Sequence, residues 1–448
     1  MAPTTTGRRT SETVDLLQHL IRNACVNDGT AASGQEVRNA DLLATFLDVD
    51  GLELERYEAA PDRTSLLARL PGTDPEAPSL CLNGHTDVVP VNASGWTHDP
   101  FGGELIDGEV WGRGAVDMLN LTASMAVTIR DLARSGMGPA GDLTFLAVAD
   151  EESGSTYGAS WLAAHHPEVM AADYVLTENG GLHVGTDEAP AIRMNVGEKG
   201  VAWRRLRVRG TPGHGSAPYK ADNALLTAAA VVQRLGDYAP PPRFHELWRS
   251  EVEHLAVDDD DRAALLDEGA IDDFIDRLPP AHGRYVHACT HTTFSPNVAV
   301  SQTKTNVIPD HVELHVDIRT VPGEGPAEVE AHLRAALGDL ADRVEVEPLI
   351  DHRASMSPVE TPLWDSLRRA VARPFPASRL RPGVINGFTD ARVHRELGAV
   401  AYGVGLLSPS LSGTEFGSRF HGNDERIDVE SIGLTTAFFD DVVRHFMY

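Results

Sequence analysis

Cysteine is scarce: Cys25, Cys81 and Cys289 are the only three in 448 residues. Isolated and widely spaced, they offer neither a disulfide framework nor a Cys-rich zinc site, and they suit a reducing compartment. Lysine is scarcer still beside abundant arginine, with only Lys199, Lys220 and Lys304. The formal charge of −28 argues against nucleic acid and anionic membranes as partners. No apolar run approaches the roughly 20 residues that span a bilayer. Residues 1–10 hold an arginine pair but no apolar signal core, so a cytoplasmic location is expected. Two hydrolase signatures are missing. There is no Gly-x-Ser-x-Gly elbow, and His245-Glu246 is not followed by the second histidine of a zincin helix.

The length favours two domains. A helical pattern over 11–23 is followed by strand and helix signals in alternation: strand 79–82, helix 119–135, strand 142–148, helix 158–165 and strand 174–177. That alternation predicts an α/β domain with a largely parallel sheet, whose sites gather at the carboxyl ends of strands. From about Glu198 the texture changes. Strand 201–209, helix 223–235, strands 298–302 and 311–320, helix 327–337 and strand 343–350 give a β-α-β-β-α-β order, that of a small α+β sheet with helices on one face. An acidic stretch at 243–288 interrupts it and is expected to be a solvated helical insertion. After Pro358 the first texture returns. The chain therefore reads as a discontinuous large domain, 1–198 and 353–448, with a smaller domain, 199–352, inserted.

The chemistry lies at the predicted strand ends. Glu151 and Glu152 stand side by side after the apolar run 143–148. Adjacent acids repel, and a divalent cation beside one of them would relieve this and leave the other free as a general base. In His85-Thr86-Asp87 the histidine can ligate a metal while the aspartate holds its other ring nitrogen. Asp117, after Gly112 and Gly114, is either a helix cap or a carboxylate shared between two ions. Glu178 and His421 are unremarkable singly. As a set, one His and one Glu on each side of a shared Asp make two matching N/O sites of the kind zinc accepts. Such a pair of ions could activate a water and polarise a carbonyl, with Glu151 moving the proton.

Gly84-His85-Thr86-Asp87-Val88-Val89-Pro90, then Trp96, Asp99-Pro100-Phe101, Gly112-Arg113-Gly114-Ala115-Val116-Asp117-Met118, Asp150-Glu151-Glu152 and the late His421 resemble the M20 metallopeptidases. That family includes carboxypeptidases, aminoacylases and desuccinylases. The resemblance implies a zinc-hydrolase catalytic domain, with a mixed, largely parallel sheet flanked by helices, and an inserted ferredoxin-like lid or dimerisation domain. It makes His85, Asp117, Glu152, Glu178 and His421 metal ligands, with Asp117 bridging. It makes Glu151 the general base and Asp87 the partner of His85. It also implies a cis Asp117–Met118 bond. Two divalent ions are implied, Zn2+ foremost, with Co2+ or Mn2+ as alternatives.

In the inserted domain, Gly213-His214-Gly215 matches the lid histidine. In family dimers this residue reaches the partner's site to stabilise the oxyanion. Asn306 and Arg319 match residues that grip a substrate carboxylate, a task that suits the arginine fork. Gly387, Thr389 and Arg392 match a substrate-side loop. Where many members continue Asp-Met-Lys-Gly, this chain has Asp117-Met118-Leu119-Asn120, a change beside the site that bears on specificity. Glu198-Lys199-Gly200 and Thr177-Glu178-Asn179-Gly180-Gly181 lean toward the carboxypeptidase S-like branch. The expectation is an amidohydrolase for a peptide or N-acyl-amino acid with a free carboxylate, acting as a homodimer through the lid. The alternative is a catalytically inactive relative used for binding or assembly.

Overall fold

Short apolar runs that end in polar residues become the buried strands of the first compact unit. Leu80–His85, Leu143–Val148 and Tyr174–Thr177 are each almost wholly buried, so both faces of their sheet are covered. The computed structural model describes residues 5–253, 255, 257–301 and 304–448. The chain divides into two units. The first comprises 1–196, 356–383 and 389–448, the second 197–355 and 384–388.

In the first unit the sheet runs in the order Glu53–Ala60, Arg63–Leu70, Leu143–Val148, Leu80–His85, Tyr174–Thr177, Val400–Gly403, Ala189–Glu198. Leu80–His85 pairs in parallel with both Leu143–Val148 and Tyr174–Thr177, and Val400–Gly403 continues in parallel. The outer pairings are antiparallel. The sheet is thus mixed and largely parallel at its centre. The hairpin Glu53–Ala60/Arg63–Leu70 had no clear signature, because its inner strand begins with the buried polar residues Arg63, Thr64 and Ser65. Helices Thr5–Arg22, Leu119–Arg134 and Val429–Met447 pack on one another. Residues 119–133 of the second are all buried, so it is a core helix rather than an amphipathic surface one.

In the second unit a four-stranded antiparallel sheet has the order Thr293–Val300, His311–Thr320, Gly200–Arg209, Val344–His352. Helices Ala224–Asp237 and Pro326–Leu337 cover one face through Leu206, Val208, Val231, Leu314, Val316 and Leu333. The strand expected over 298–302 begins earlier, at Thr293, and Gln302 lies outside the described residues. The acidic stretch is helical but is more than a solvated insertion. Trp248, Val252, Leu265, Ile271, Phe274, Val286 and Cys289 form a small core of its own, which the surrounding aspartates masked in the sequence.

Lys199 is buried in this unit, and its ammonium donates to the His291 carbonyl at 2.7 Å. Burial lowers its pKa to about 7, assisted by the charge of Arg319. An unfolded lysine stays protonated to about pH 10.4. Between those values the unfolded chain therefore binds one proton more than the folded one, and stability rises with pH. The expected result is that wild type gains on Lys199→Met by up to about 1.4 kcal/mol per pH unit from pH 7 to 10 in urea unfolding. A difference independent of pH would reject this ionisation.

Candidate metal centre

Three strand ends and one late loop of the first unit bring the acids and histidines together. Leu80–His85 ends on His85, Tyr174–Thr177 precedes Glu178, and Leu143–Val148 leads into the turn of Glu151 and Glu152. Asp117 sits at the entry to the helix Leu119–Arg134, across a cis bond to Met118. The turn depends on Gly158, where an added Cβ would lie 1.7 Å from the Ala149 carbonyl.

Asp117 is the centre of the cluster. Its Oδ1 lies 3.2 Å from His85 Nε2, which is 3.9 Å from Glu178. Its Oδ2 lies 3.1 Å from His421 Nε2, which is 3.2 Å from Glu152. One His therefore meets each carboxylate oxygen, and each His has a Glu beside it. His85, Asp117 and Glu178 are buried, whereas the His421 side chain is 53% exposed and stands at the rim. Donor atoms of His85, Asp117 and Glu152 lie within 4.8 Å of one another, as do those of His85, Glu151 and Glu178.

The electrostatics call for cations. Burial, reinforced by Asp117, pushes Glu178 well above the ordinary carboxylate range and Glu152 to about 7. Burial likewise raises Glu151, with Asp390 and Glu152 adding to it. Hydrogen bonds to Asp117 and Glu152 raise His421 to about 10. Burial opposes charge on His85, but Asp117, Glu178 and Glu151 outweigh it and hold the ring well above its usual value. Bound divalent ions would supply the positive charge that these buried carboxylates lack.

The donor set fits such ions. Tetrahedral zinc with bonds of about 2.0–2.1 Å has donor–donor edges of about 3.3–3.4 Å. The contacts of Asp117 with the two histidines and of His421 with Glu152, at 3.1–3.2 Å, lie just under that value, and His85–Glu178, at 3.9 Å, lies above it. Glu151 Oε1 and Glu152 Oε1 are buried without hydrogen-bond partners among the described residues.

Asp87 differs from the expectation in detail. His85 Nδ1 meets the Asp87 backbone carbonyl at 3.0 Å, while the carboxylate stands 3.6 Å away. The Asp87 carboxylate instead accepts from the backbone N–H groups of Glu151 and Glu152, each at 3.2 Å. It thus holds both the histidine and the turn that carries the acids.

Sequence reasoning missed Glu425. It is fully buried and accepts from Val116 N at 2.7 Å, Asp117 N at 3.1 Å and Arg113 Nη1 at 2.6 Å. This seats the Asp117 loop. The only available signal was its place four residues after His421.

Of the residues expected on the substrate side, Thr389 and Arg392 lie in the first unit. Arg392 is 1% exposed and donates to Thr389 O and Ser155 Oγ. Thr389 Oγ1 accepts from Ala391 N. The others lie in the second unit. His214 pairs with Val307 on a short ladder, and Gly215 N donates to Asn306 O at 2.8 Å, so exposed His214 and Asn306 are neighbours. Ser216 holds His214 Nδ1 at 2.7 Å. Gly387 is exposed and belongs with 384–388. Arg319 is gripped on two nitrogens by Asp317, at 2.7 and 3.0 Å, over the Phe388 ring. Its Nη1 has no hydrogen-bond partner among the described residues.

Residues 81–445 match the profile of peptidase family M20/M25/M40. The chain belongs to this family. It is 25% identical over 399 residues to a probable carboxypeptidase S-like 2 of Dictyostelium discoideum, covering 85% of this chain and 74% of that protein. It is 27% identical over 374 residues to a succinyl-diaminopimelate desuccinylase of Cereibacter sphaeroides, covering 82% of each. An M20 family metallo-carboxypeptidase of Sulfolobus solfataricus shares the fold, with a TM-score of 0.72 at 16% identity over 97% of this chain and 99% of that one. The M20 chain is a hydrolase of the peptidase and amidohydrolase type, and its family implies divalent metal at the cluster. No helix among its described residues is long and apolar enough to cross a membrane.

Proposed function

We propose that this chain is a two-zinc amidohydrolase that cleaves a peptide or N-acyl-amino acid bearing a free carboxylate. The observation that carries this is the arrangement about Asp117: His85, with Glu178 beside it, meets one oxygen, and His421, with Glu152 beside it, meets the other. Zinc held by these five residues would polarise the amide carbonyl and acidify a water. Glu151, with an oxygen unpartnered among the described residues beside the ligands, takes the proton from the attacking water and delivers it to the leaving nitrogen. Donor distances alone would admit Glu151 as a ligand. The contact of Glu152 with His421, together with the family resemblance, favours Glu152 for that role and leaves Glu151 as the base. Asp87 holds the turn in register.

His214 supplies a donor to the oxyanion, and Asn306 and Arg319 bind the substrate carboxylate, with the loop of Gly387, Thr389 and Arg392 on the substrate side. Asp317 partly neutralises Arg319 but leaves Nη1 to donate. The similarity to a carboxypeptidase S-like protein and to a desuccinylase supports both substrate classes. We place the enzyme in the cytoplasm.

The partner is a second copy. Thr293–Val300 is an edge strand with Val298 and Val300 exposed, and the helix packed on it exposes Leu225 and Leu226 at 51% and 70%. Such an edge invites pairing. Light scattering is expected to give twice the 48.3 kDa chain mass, and a monomer mass would exclude this.

The deciding experiment is a panel of dipeptides and N-acetyl-, N-formyl-, succinyl- and long-chain N-acyl-amino acids, each beside its carboxamide. Zinc-loaded enzyme is expected to hydrolyse at least one free acid at least about tenfold faster than its amide, as loss of a charged contact worth about 1.4 kcal/mol or more implies. Chelation is expected to abolish this and zinc to restore it. Hydrolysis of none would favour the inactive binding or assembly reading.

A further inference from the structure

One buried side chain touches the acidic turn from both sides. Asn27 is 3% exposed. Its Nδ2 donates to Asp87 Oδ2 and to Asp150 Oδ1, each at 2.8 Å. Its Oδ1 accepts from Ser153 Oγ at 2.9 Å, from Gly29 N at 3.0 Å and from Ser33 Oγ at 3.3 Å. Asp150 and Ser153 bracket Glu151 and Glu152. Asp87 binds the backbone N–H groups of those two glutamates. The orientation of the amide is fixed by its surroundings: two carboxylates lie on one side and three donors on the other.

We propose that Asn27 is a positioning residue for the Glu151–Glu152 turn, aiming the proton-transferring carboxylate and the metal-facing one together. The proposal rests on the assignment of Glu151 as base. The chemistry of the site selects this residue type. Asp150 is held with φ at +63° at the start of the turn, and Asp87 at its base; both are carboxylates that need donors. Arg63 already supplies a cation to Asp150 Oδ1, at 2.7 Å. An Asp would add a third negative charge, and Ser is too short to reach both carboxylates and Ser153. An amide donates twice on one side and accepts on the other without altering the charge. Partners that orient ligands in this way are worth about 10–100-fold in metal affinity or activity.

The test is Asn27→Ala in the metal-loaded, full-length enzyme, with Glu151→Gln in parallel. The expected result is a fall in kcat of about 10–100-fold with KM within about threefold, and faster loss of zinc to a competing chelator, while circular dichroism and cooperative melting are preserved. A folded Asn27→Ala protein with kcat within twofold of wild type and unchanged zinc loss overturns the proposal. If Asn27→Ala does not fold, Ser153→Ala decides. It removes only the hydroxyl contact at a half-buried position; a kcat loss of about threefold or more supports the proposal, and none overturns it. The outcomes separate the two readings. An active Glu151→Gln protein removes the base assignment itself. An inactive Glu151→Gln beside a fully active Asn27→Ala removes only the role of Asn27.

Discussion

Glu151→Gln is expected to lower kcat by about 10²–10⁴-fold, the range general-base catalysis contributes, while bound zinc per chain stays at the wild-type value. That loss corresponds to about 2.7–5.5 kcal/mol of barrier. The substitution keeps the shape of the side chain and leaves the backbone N–H of residue 151 on Asp87. It removes only the capacity to accept a proton. Metal analysis makes the result specific, because the donor atoms of Glu151 lie within 4.8 Å of those of His85 and Glu178. If Glu151 were a ligand, the variant would lose metal as well as rate. If it is the base, rate falls and metal stays. KM is expected to change by less than a few-fold, since a proton transfer in the transition state leaves ground-state binding untouched. Hydrolysis at the wild-type rate would reject the assignment.

The parts of this molecule that were legible in the sequence share a physical cause. His85, Glu151 and Glu178 follow short apolar runs, and in a sheet buried on both faces such runs announce the strand and its end together. The alternation along Gly200–Arg209 and His311–Thr320 is equally plain, because one face of that sheet packs on helices and the other carries Arg205, Arg207, Glu313 and Asp317. What stayed hidden is long-range. Glu425 seats Asp117 from 308 positions away, and Asn27 meets Asp150 across 123. Neither lies in a periodic segment, and each reads alone as an ordinary surface residue. The acidic stretch misled for a related reason: Asp258 to Asp261 dominate its composition, while Trp248 and Phe274 are too widely spaced to announce a core.

Behind the turn lies the other position where one substitution is expected to have a large effect. Arg63 is 1% exposed and stands between two buried carboxylates. Its guanidinium bonds Glu36 through Nε and Nη2, both at 2.8 Å, and Asp150 through Nη2 at 2.7 Å. Glu36 in turn accepts from Asp150 N at 3.2 Å. A buried ion pair adds little net stability, but removing one partner leaves an uncompensated charge and costs about 3–5 kcal/mol. Arg63→Met removes the one cation among the described residues that contacts both acids and keeps most of the volume. Urea unfolding with excess chelator, so that metal binding does not mask the change, is expected to show a loss of that size at pH 8. The loss has a direction in pH. Burial and Asp87 already lift Glu36 to about 7 against the opposing pull of Arg63, and without the arginine Glu36 rises further. Acids whose folded pKa is raised are tolerated while protonated and destabilise as pH climbs through that value. The deficit of Arg63→Met is therefore expected to shrink toward pH 5.5 and widen toward pH 8. A loss below about 1 kcal/mol at pH 8, the size of an ordinary exposed pair, would show that Arg63 does not hold these charges. A larger deficit at pH 5.5 than at pH 8 would show that the two carboxylates are not what the arginine compensates.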